Sequence, residues 1–357
     1  MGKIRISHII APIDYYGKER WVISFLKYLD RKRFESRIII ISTSNETFFS
    51  EKLESLKISC KFLNGKGKIN VSDIKKLRNY IIGDSCDILH SHDYKSDIFS
   101  YWASRGLPVK KISTPHGWCG KGDLKIALYE KIDKIFLKFF DKVVLLSKNM
   151  ASSLREIPSN RLAVINNFID LDRIPKPEVG YSNLITFMGR LVELKRVQDA
   201  IRAINLVKNK NIRLQIIGDG PLRGKLELLS QKLGLTGRVE FLGHKENSLE
   251  LLNRSKIFIL TSLTEGISRS VMEAMALKRI IISTNIPGIN ELIRHGENGF
   301  LVETKNPEAL AKMIDYVMDN MSSALTIADR ARETVEKKHS AAKVVRDYEK
   351  LYRSLID

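Results

Sequence analysis

Apolar runs typical of buried strands alternate with amphipathic stretches along the first half of the chain. Runs of this kind, apolar on both sides and separated by helical patterns, predict a parallel sheet with helices on both faces. Polar residues follow each run, as expected where strands end. The predicted strands of the first half are Lys3–Ile10, Ser36–Thr43, Cys86–Asp93, Val109–Gly117 and Lys142–Ser147.

A break in this pattern divides the chain. The stretch Ile169–Asn183 contains two prolines and a glycine and has no periodicity, which is typical of a linker. We therefore predict an α/β protein with two doubly wound domains, residues 1–168 and 169–339, and a final amphipathic helix, 340–357, that packs back on the first domain. After the break the predicted strands are Leu184–Arg190, Arg213–Pro221, Val239–Gly243, Ile257–Ser262, Arg279–Thr284 and Gly299–Glu303.

Composition narrows the class of protein. A chain of 357 residues has room for two ordinary domains, and 43% hydrophobic and 28% charged residues are usual for a globular fold. No apolar run approaches the roughly 20 residues that span a bilayer, and we interpret the first apolar stretch as a core strand instead of a signal peptide. Three well-separated cysteines, Cys60, Cys86 and Cys119, favour a reducing, cytosolic compartment.

The net charge of +19 is compatible with an anionic partner. Nucleic acid, an anionic membrane surface and phosphate-bearing ligands all fit this charge. Nucleic-acid readers usually gather basic and aromatic residues along one element, whereas the lysines of this chain are scattered through both halves. A lysine-rich, solvated surface without any such partner is an equally good explanation.

Basic residues follow the first strand of the second half. In doubly wound sheets ligands bind beyond the carboxyl ends of the strands, and Gly189, Arg190 and Lys195 lie there. Glycine lets the backbone approach a ligand, the arginine fork matches phosphate oxygens, and lysine adds a point charge. These residues predict a phosphate site, although two solvated basic side chains would look the same.

Two glutamates flank a predicted helix start between Leu263 and Arg279. Ser268 is a candidate N-cap, and the unpaired amides of a helix start form a ready site for a diphosphate. Glu265 precedes the helix, and Glu273 lies about 7.5 Å along its axis from Ser268. We predict that these carboxylates hold opposite ends of a nucleotide sugar. Two surface acids are the alternative, which is weaker for Glu273 because its neighbours are apolar.

These motifs together resemble the retaining nucleotide-sugar glycosyltransferases with the GT-B fold that carry the E-x7-E signature. The resemblance covers nearly the whole chain, because the family's motifs occur in the family's order. It implies two Rossmann-like domains that face each other across a cleft. The motifs are YGKER, HSHD, TPHG, VINNFID, GRLVELK, IIGDGP, FLG, EGISRSVME and GINEL…GENGFLV.

The resemblance implies roles for the donor-binding residues. Arg190 and Lys195 match the pair that neutralises the donor diphosphate, which is the leaving group. Glu265 matches the acid that contacts the sugar hydroxyls, and Glu273 matches the ribose ligand. The backbone amides of residues 266–268 (Gly266, Ile267 and Ser268) lie near the donor in the family.

In the first domain the resemblance implies two further roles. Gly17 matches a loop that approaches the donor phosphates, and His116 matches a histidine beside the transferred sugar. Families of this kind use no metal and no other cofactor. The implied reaction is retaining transfer by front-face attack through an oxocarbenium-like ion pair, with the departing diphosphate stabilised by fixed charges.

Five positions depart from the family's pattern. They affect the expected loop shapes and donor identity more than the charged groups. Tyr16, Phe168, Arg196, Lys278 and Pro287 each occupy a position where glycine is usual.

Other polar residues of the first half suggest weaker hypotheses. His90 and His92 lie two apart on a strand and share a face, but their spacing, even with Cys86, fits no common zinc pattern; we predict a core or cleft-wall role and no metal. Asp93 is a candidate acceptor-binding residue, together with His116. The apolar and lysine-rich stretch Leu124–Lys142 predicts either an ordinary core-facing helix or a helix that contacts anionic lipid.

The sequence therefore predicts a hexosyltransferase that uses a UDP- or GDP-sugar. The acceptor would be a membrane-associated glycan or glycolipid of a bacterial envelope, such as lipopolysaccharide or capsule, and the enzyme would be peripheral on the cytoplasmic face of the inner membrane. Three alternatives remain: a catalytically silent subunit of the same fold, a basic nucleic-acid-binding protein, and a dinucleotide oxidoreductase. This chain lacks the G-x-G-x-x-G motif that a dinucleotide oxidoreductase is expected to have after its first strand.

Overall fold

Two parallel sheets, one in each part of the chain, provide the framework. The computed structural model describes residues 2–12, 17–44, 47–64, 69–116 and 124–357. The chain divides into two compact units, of which the first contains Met1–Asn167 and Ala341–Asp357 and the second contains Phe168–Ser340. The predicted α/β class with two doubly wound parallel sheets is confirmed. No helix of the described residues is long and apolar enough to cross a membrane.

The first unit has a seven-stranded parallel sheet with the order β3-β2-β1-β4-β5-β6-β7. Its strands are β1 (Ile4–Ile10), β2 (Phe34–Ser42), β3 (Cys60–Asn64), β4 (Ile88–Ser91), β5 (Lys110–Ser113), β6 (Lys142–Leu145) and β7 (Leu162–Val164). Its helices in this part of the chain are α1 (Gly17–Tyr28), α2 (Phe48–Ser55), α3 (Val71–Gly83), α4 (Tyr94–Ala103) and α5 (Leu124–Leu137).

The second unit has a six-stranded parallel sheet with the order β10-β9-β8-β11-β12-β13. Its strands are β8 (Tyr181–Met188), β9 (Arg213–Ile217), β10 (Val239–Gly243), β11 (Ser255–Leu260), β12 (Ile280–Thr284) and β13 (Phe300–Val302). Its helices are α6 (Val197–Leu206), α7 (Arg223–Lys232), α8 (Ser248–Asn253), α9 (Arg269–Ala276), α10 (Pro287–Asn290), α11 (Pro307–Asp319) and α12 (Met321–Lys338), and the last helix, α13 (Ala341–Ile356), belongs to the first unit.

Each predicted strand has a counterpart in the structure. The structure differs from the prediction in two edge strands of the first sheet and in the start of β8. Strands β3 and β7 were not predicted, because they are short edge strands whose residues are mostly half-exposed and so lack a continuous apolar run. Strand β8 begins at Tyr181, inside the stretch predicted to be a linker.

Helix α13 contributes aromatic side chains to the core of the first unit. Its buried residues follow a helical spacing of three and four. Tyr348 and Tyr352 are fully buried, and the Tyr348 ring lies 5.5 Å from that of Trp21 and 5.2 Å from that of Phe25 on α1. This packing places α13 against α1 within the first unit.

Two buried carboxyl groups face each other where α4 meets α5. Asp97 is fully buried and Asp133 is 2% exposed. Ser91 donates a hydrogen bond to Asp97. Burial, and then the neighbouring Asp133, raise the pKa of Asp97 well above its usual value. Two carboxyl groups this close share a proton, because both cannot ionise without water around them.

This pair predicts an inverse pH dependence of stability. Folding raises the pKa of Asp97, so above the unfolded value of about 4 the folded state must hold a proton that the unfolded chain has lost, and stability falls as the pH rises. In Asp97→Asn the amide needs no proton. We expect this variant to be more stable than the native protein at pH 8, by about 1 kcal/mol or more, with little difference near pH 4.5.

Urea unfolding at both pH values measures this effect. The exposed Asp319→Asn is the matched control and should show no such pH-dependent gain. If stability rose between pH 5 and pH 8 by the same amount in the native protein and in Asp97→Asn, this result would contradict the shared proton.

Candidate functional site

The loop after β8 contains the first predicted cations of the second unit. The Gly189 amide donates to the Ile217 carbonyl at 2.9 Å, which sets this loop against the end of β9. Gly218 has φ +134°, and a Cβ there would lie 2.0 Å from the Gly189 carbonyl oxygen. Only glycine fits this contact, so the turn after β9 supports the Gly189–Arg190 loop.

Arg190 and Lys195 differ in their surroundings. Arg190 is exposed, and its side chain makes no hydrogen bond or ion pair with any residue that the structure describes. Lys195 ends a short 3-10 turn, Glu193–Lys195, and its side chain is only 22% exposed. The next residue, Arg196, has φ +49°, a left-handed conformation that favours glycine. Two 2.8 Å hydrogen bonds to Asp199 hold the Arg196 side chain.

Lys195 and Glu265 form an ion pair. The Glu265 carboxylate, 11% exposed, also accepts a hydrogen bond from the Ser262 hydroxyl at 2.6 Å. Backbone bonds bring the two loops together, because the Leu263 amide donates to the Leu194 carbonyl at 2.8 Å. The Thr261 hydroxyl donates to the Lys195 carbonyl, also at 2.8 Å. The loops after β8 and β11 therefore form one cluster, and the donor contacts that the resemblance implies for these two residues stay predictions.

Gly288 is a site residue that sequence reasoning missed. A Cβ at Gly288 would lie 2.2 Å from the carbonyl oxygens of both Glu265 and Gly266. The start of α10 therefore packs directly on the backbone of the Glu265 loop, and no other residue type fits without moving that loop. Its neighbour Pro287, where the family pattern has glycine, occupies the first position of α10, where proline is well tolerated.

The start of α9 lies directly after this loop. Ser268 holds the N-cap position, as predicted, but its hydroxyl lies 3.2 Å from that of Ser270 and caps no amide of the helix. Ile267 is buried and Gly266 is exposed. Within the described residues, the first amides of α9 therefore have no side-chain cap, and a helix start of this kind attracts anions.

Glu273 is buried and paired inside α9. It is 7% exposed, so it is not a surface acid. Arg269 donates to its carboxylate at 3.0 Å, and the two side chains are 19% and 9% exposed. An arginine in the first turn opposes the helix dipole, which favours acids there. We infer that Arg269 fixes the orientation of Glu273, a role that the motif did not suggest.

In the first unit, Asp93 has a clear structural role. Its carboxylate accepts from the Lys18 ammonium at 2.8 Å, from the Ala11 amide at 2.9 Å and from the Ser96 amide at 3.0 Å, and it is the N-cap of α4. Although burial would raise its pKa, the charge of Lys18 and these bonds hold the pKa below its usual value. Acceptor binding by Asp93 stays a prediction. Gly17 is exposed at the start of α1, and its predicted donor contact is also untested.

His116 lies beside a cluster of three buried histidines. Its ring is 5.2 Å from that of Trp21 and 5.8 Å from that of His92. His8, His90 and His92 are fully buried, and a potential ligand nitrogen from each lies within 4.8 Å of the others. Sequence reasoning missed His8, which reaches His90 only through the pairing of β1 with β4.

The hydrogen bonds of these histidines favour a core role. His90 bonds Tyr352 through Nδ1 at 2.7 Å and Thr114 through Nε2 at 2.8 Å, while His8 and His92 bond each other at 3.1 Å. Burial lowers the pKa of all three rings, that of His8 to about 3, so they are neutral at physiological pH. A metal would have to displace a partner of His90, so the donor set fits an ion poorly. Tyr16, which departs from a family glycine, and Cys119, one of the three cysteines, lie outside the described residues.

Comparison with known proteins covers both units. Residues 169–334 match the protein family described as Glycosyl transferases group 1, and residues 15–173 match Glycosyltransferase Family 4. The chain belongs to the family 4-like, group 1 glycosyltransferases. The predicted GT-B fold class is confirmed as well.

Two relatives and one solved structure illustrate the similarity of this group 1 glycosyltransferase to known proteins. The chain is 28% identical over 294 residues, 76% of either chain, to N-acetyl-alpha-D-glucosaminyl L-malate synthase of Bacillus anthracis. It is 27% identical over 343 residues, 92% of this chain and 93% of the other, to a Campylobacter jejuni alpha-1,4-N-acetyl-D-galactosaminyltransferase named for GalNAc-alpha-(1->4)-GalNAc-alpha-(1->3)-diNAcBac-PP-undecaprenol. The crystal structure of Anabaena Alr3699/HepE in complex with UDP and glucose superposes with a TM-score of 0.86, at 18% identity over 98% of this chain and all of the other.

The Arg269–Glu273 pair makes a prediction about stability. In Arg269→Met a buried carboxylate loses its partner, and we expect a loss of about 1–3 kcal/mol in the free energy of unfolding. Adding Glu273→Gln should recover most of it. Urea unfolding of the two single variants and the double variant gives the coupling energy.

The less buried pair Arg332–Glu336, whose side chains are 30% and 43% exposed, is the control, because it has the same spacing and a 2.7 Å bond between the same atom types. Its coupling energy should stay below about 0.5 kcal/mol. Equal coupling energies in both pairs would mean that Arg269 binds Glu273 no more strongly than Arg332 binds Glu336.

Proposed function

We propose that this glycosyltransferase retains the anomeric configuration and moves a hexose from a UDP- or GDP-sugar without a metal. The acceptor we propose is a membrane-associated glycan or glycolipid in the synthesis of cell-envelope polysaccharide. The observation that carries the proposal is the cluster of Lys195, Glu265 and the uncapped start of α9, with the exposed Arg190 on the adjoining loop.

Each donor group would meet a suitable partner in this cluster. The diphosphate would bind Arg190, Lys195 and the first amides of α9, because all three offer positive charge or hydrogen-bond donors. Sugar hydroxyls would donate to Glu265, and ribose hydroxyls would donate to Glu273, which Arg269 orients. The UDP complex of the Anabaena neighbour makes uridine the first base to test.

The charges of the site suggest how the donor binds. Lys195 and Glu265 neutralise each other before the donor arrives. A diphosphate competes for the ammonium, and a sugar hydroxyl competes for the carboxylate. One donor therefore replaces both partners at once, so neither charge is left buried and unpaired.

The proposed reaction breaks the bond between the anomeric carbon and the diphosphate oxygen. The electron pair of that bond leaves with the diphosphate, whose growing negative charge Arg190 and Lys195 stabilise. An acceptor hydroxyl then attacks the oxocarbenium-like sugar on the face that the diphosphate has left, which retains configuration. The acceptor proton passes to a diphosphate oxygen. His116 would hydrogen-bond the transferred sugar, and the two cations take the place that Mg²⁺ has in other transferases.

A surface of the first unit supports a membrane-associated acceptor. Leu128, Ile135 and Phe139 are 58%, 55% and 51% exposed, and Trp102 of α4 is 41% exposed. Leu128, Lys131 and Ile135 follow helical spacing on α5, so they lie on one stripe, and Phe139 lies in the turn just after the helix. We call Trp102, Leu128, Lys131, Ile135 and Phe139 the α4–α5 patch. Apolar side chains beside a lysine suit the boundary of an anionic bilayer, which would place the enzyme on the cytoplasmic face of the inner membrane.

Removal of the proposed diphosphate cations tests the reaction. We expect Arg190→Ala and Lys195→Ala each to lower transfer from the best donor by about 10²–10³-fold, because each removes a charge aimed at the leaving group. Thermal shift with UDP- and GDP-sugars identifies that donor first, since a ligand at 100 times its Kd adds about 2.7 kcal/mol. Product release, measured by chromatography, reports transfer.

Two further variants control this experiment. Lys195→Gln keeps a hydrogen-bond donor to Glu265, so it separates the loss of charge from a loss of loop structure. The exposed Lys232→Ala removes a cation from the end of α7 and should keep full activity. Donor binding without hydrolysis or transfer to any acceptor would favour the catalytically silent subunit, and full activity without Arg190 or Lys195 would refute the leaving-group assignment.

The α4–α5 patch predicts binding to anionic vesicles. We expect the protein to co-sediment with vesicles that contain phosphatidylglycerol and to be released by salt. The variant Ile135→Ser/Phe139→Ser should bind at least about tenfold more weakly, because burying each side chain contributes about 1 kcal/mol or more.

The matched control for the patch is Val179→Ser/Leu228→Ser, which removes two exposed apolar side chains of the second unit. It should bind vesicles like the native protein. Equal sedimentation with neutral vesicles, or no effect of the Ile135 and Phe139 substitutions, would overturn the membrane role.

A further inference from the structure

A cavity of about 400 Å³ lies in the second unit, away from the site described above. It is lined by residues at the amino ends of β9 and β10, including Arg213, Gln215 and Glu240. The proposed donor site lies at the carboxyl ends of the same sheet. Strand β9 alone separates Arg213 from Gly218, a distance of about 16 Å at 3.3 Å per residue, so the two sites are distinct.

The lining of this cavity is rich in arginine. Arg213, Arg238 and Arg254 contribute to it, and Glu240 is its one acidic residue. Arg213 and Arg254 are exposed, and their side chains make no hydrogen bond or ion pair with any residue that the structure describes. Most salt-bridged arginines of this unit, such as Arg196 and Arg269, have carboxylates within 3.0 Å. The cavity therefore carries uncompensated positive charge.

Arg238 is held in place by the backbone. Its Nε donates to the Ile212 carbonyl at 3.1 Å and its Nη2 to the Ile204 carbonyl at 2.9 Å. These bonds fix the guanidinium plane but do not neutralise its charge. Burial lowers its pKa, and no carboxylate opposes that shift. A partly desolvated and unneutralised guanidinium is the group that an anion stabilises most.

The floor of the cavity has a defined orientation. Arg213 and Gln215 lie two apart on β9 and so share a face of the sheet, and Glu240 pairs with Gln215 in the register of β9 and β10. Gln215 donates to the Leu251 carbonyl of α8 at 2.9 Å, which identifies this face as the one that α8 covers. Leu184, which pairs with Arg213, adds an apolar wall.

We propose that this cavity binds a small phosphate-bearing ligand through Arg213, Arg238 and Arg254. Guanidinium forks match phosphate oxygens in geometry and charge. Glu240 and the apolar wall suit a hydroxyl-bearing carbon skeleton attached to the phosphate. The ligand is either a free inorganic phosphate or a phosphorylated sugar, which share this chemistry.

The test uses a protein whose donor cations have been removed. In Arg190→Ala/Lys195→Ala we expect inorganic diphosphate to bind at one saturable site, measured by titration calorimetry. Adding Arg213→Gln/Arg254→Gln should weaken binding by at least about tenfold. Adding Arg202→Gln/Arg294→Gln, which removes two exposed arginines elsewhere in the unit, should change the Kd by less than about twofold. Thermal unfolding checks that each variant is folded, and Arg254→Gln alone serves if the larger variant is not.

Two more titrations identify the source of the phosphate. Hexose 6-phosphate that binds at least about tenfold more tightly than inorganic phosphate would identify a phosphorylated sugar, and equal affinities would identify the inorganic ion. Absence of saturable binding without the donor cations would overturn the proposal. Equal weakening by both arginine pairs would also overturn it, because the effect would then follow net charge alone. Neither result depends on whether the donor site transfers a sugar.

Discussion

An ion pair between Lys195 and Glu265 connects the loops that follow β8 and β11, and the candidate site depends on it. Both side chains are mostly buried, so each needs a partner of opposite charge or a hydrogen bond. Ser262 and the backbone bond from Leu263 to Leu194 hold the pair in place. Lys195 and Glu265 neutralise each other in this pair. A ligand that carries both an anion and hydroxyl groups can replace each partner without leaving a charge exposed to an apolar environment, and this property fits a nucleotide sugar better than a simple anion.

The backbone beneath this pair uses glycine at two positions where contact distance requires it. Gly218 and Gly288 touch neighbouring carbonyl oxygens so closely that a Cβ would clash. At two other positions this chain has a larger residue where the family has glycine, and no close contact is the reason. Arg196 and Lys278 have φ of +49° and +58°, the left-handed conformation that glycine adopts without strain. Each costs about 1 kcal/mol relative to glycine, and ion pairs with Asp199 and Asp329 at 2.8 Å offset part of that cost. These loops therefore keep the glycine conformation, and the concern about their shape is removed for both positions.

The sequence was sufficient to predict much of the fold, because continuous apolar runs such as those of β1 and β11 signal buried parallel strands. The edge strands β3 and β7 lack such runs and could not be identified in that way. Ordered motifs predicted that Arg190, Lys195, Glu265 and Glu273 share a region of the second unit. They did not predict contacts made across the sheet or along a helix: His8 meets His90 through strand register, Gly288 meets the Glu265 loop through tertiary packing, and Arg269 looked like one basic residue among 60. Local pattern reports burial and turns, whereas these contacts depend on how distant segments pack.

We propose that the donor replaces Lys195 and Glu265 as each other's partner. The most direct test of this exchange is the effect of two substitutions on UDP binding, which should be opposite. UDP has a diphosphate but no hexose, so it should compete for Lys195 and leave Glu265 with its hydrogen bond from Ser262 but without its ionic partner. Calorimetric titration with UDP should therefore give a weaker Kd for Lys195→Gln and an equal or tighter Kd for Glu265→Gln, because the neutral amide no longer competes for the ammonium. With the full donor, Glu265→Gln should still lose transfer by about 10²-fold. If Glu265→Gln weakened UDP binding as much as Lys195→Gln does, the two side chains would be acting as one structural unit, and the proposed exchange would be wrong.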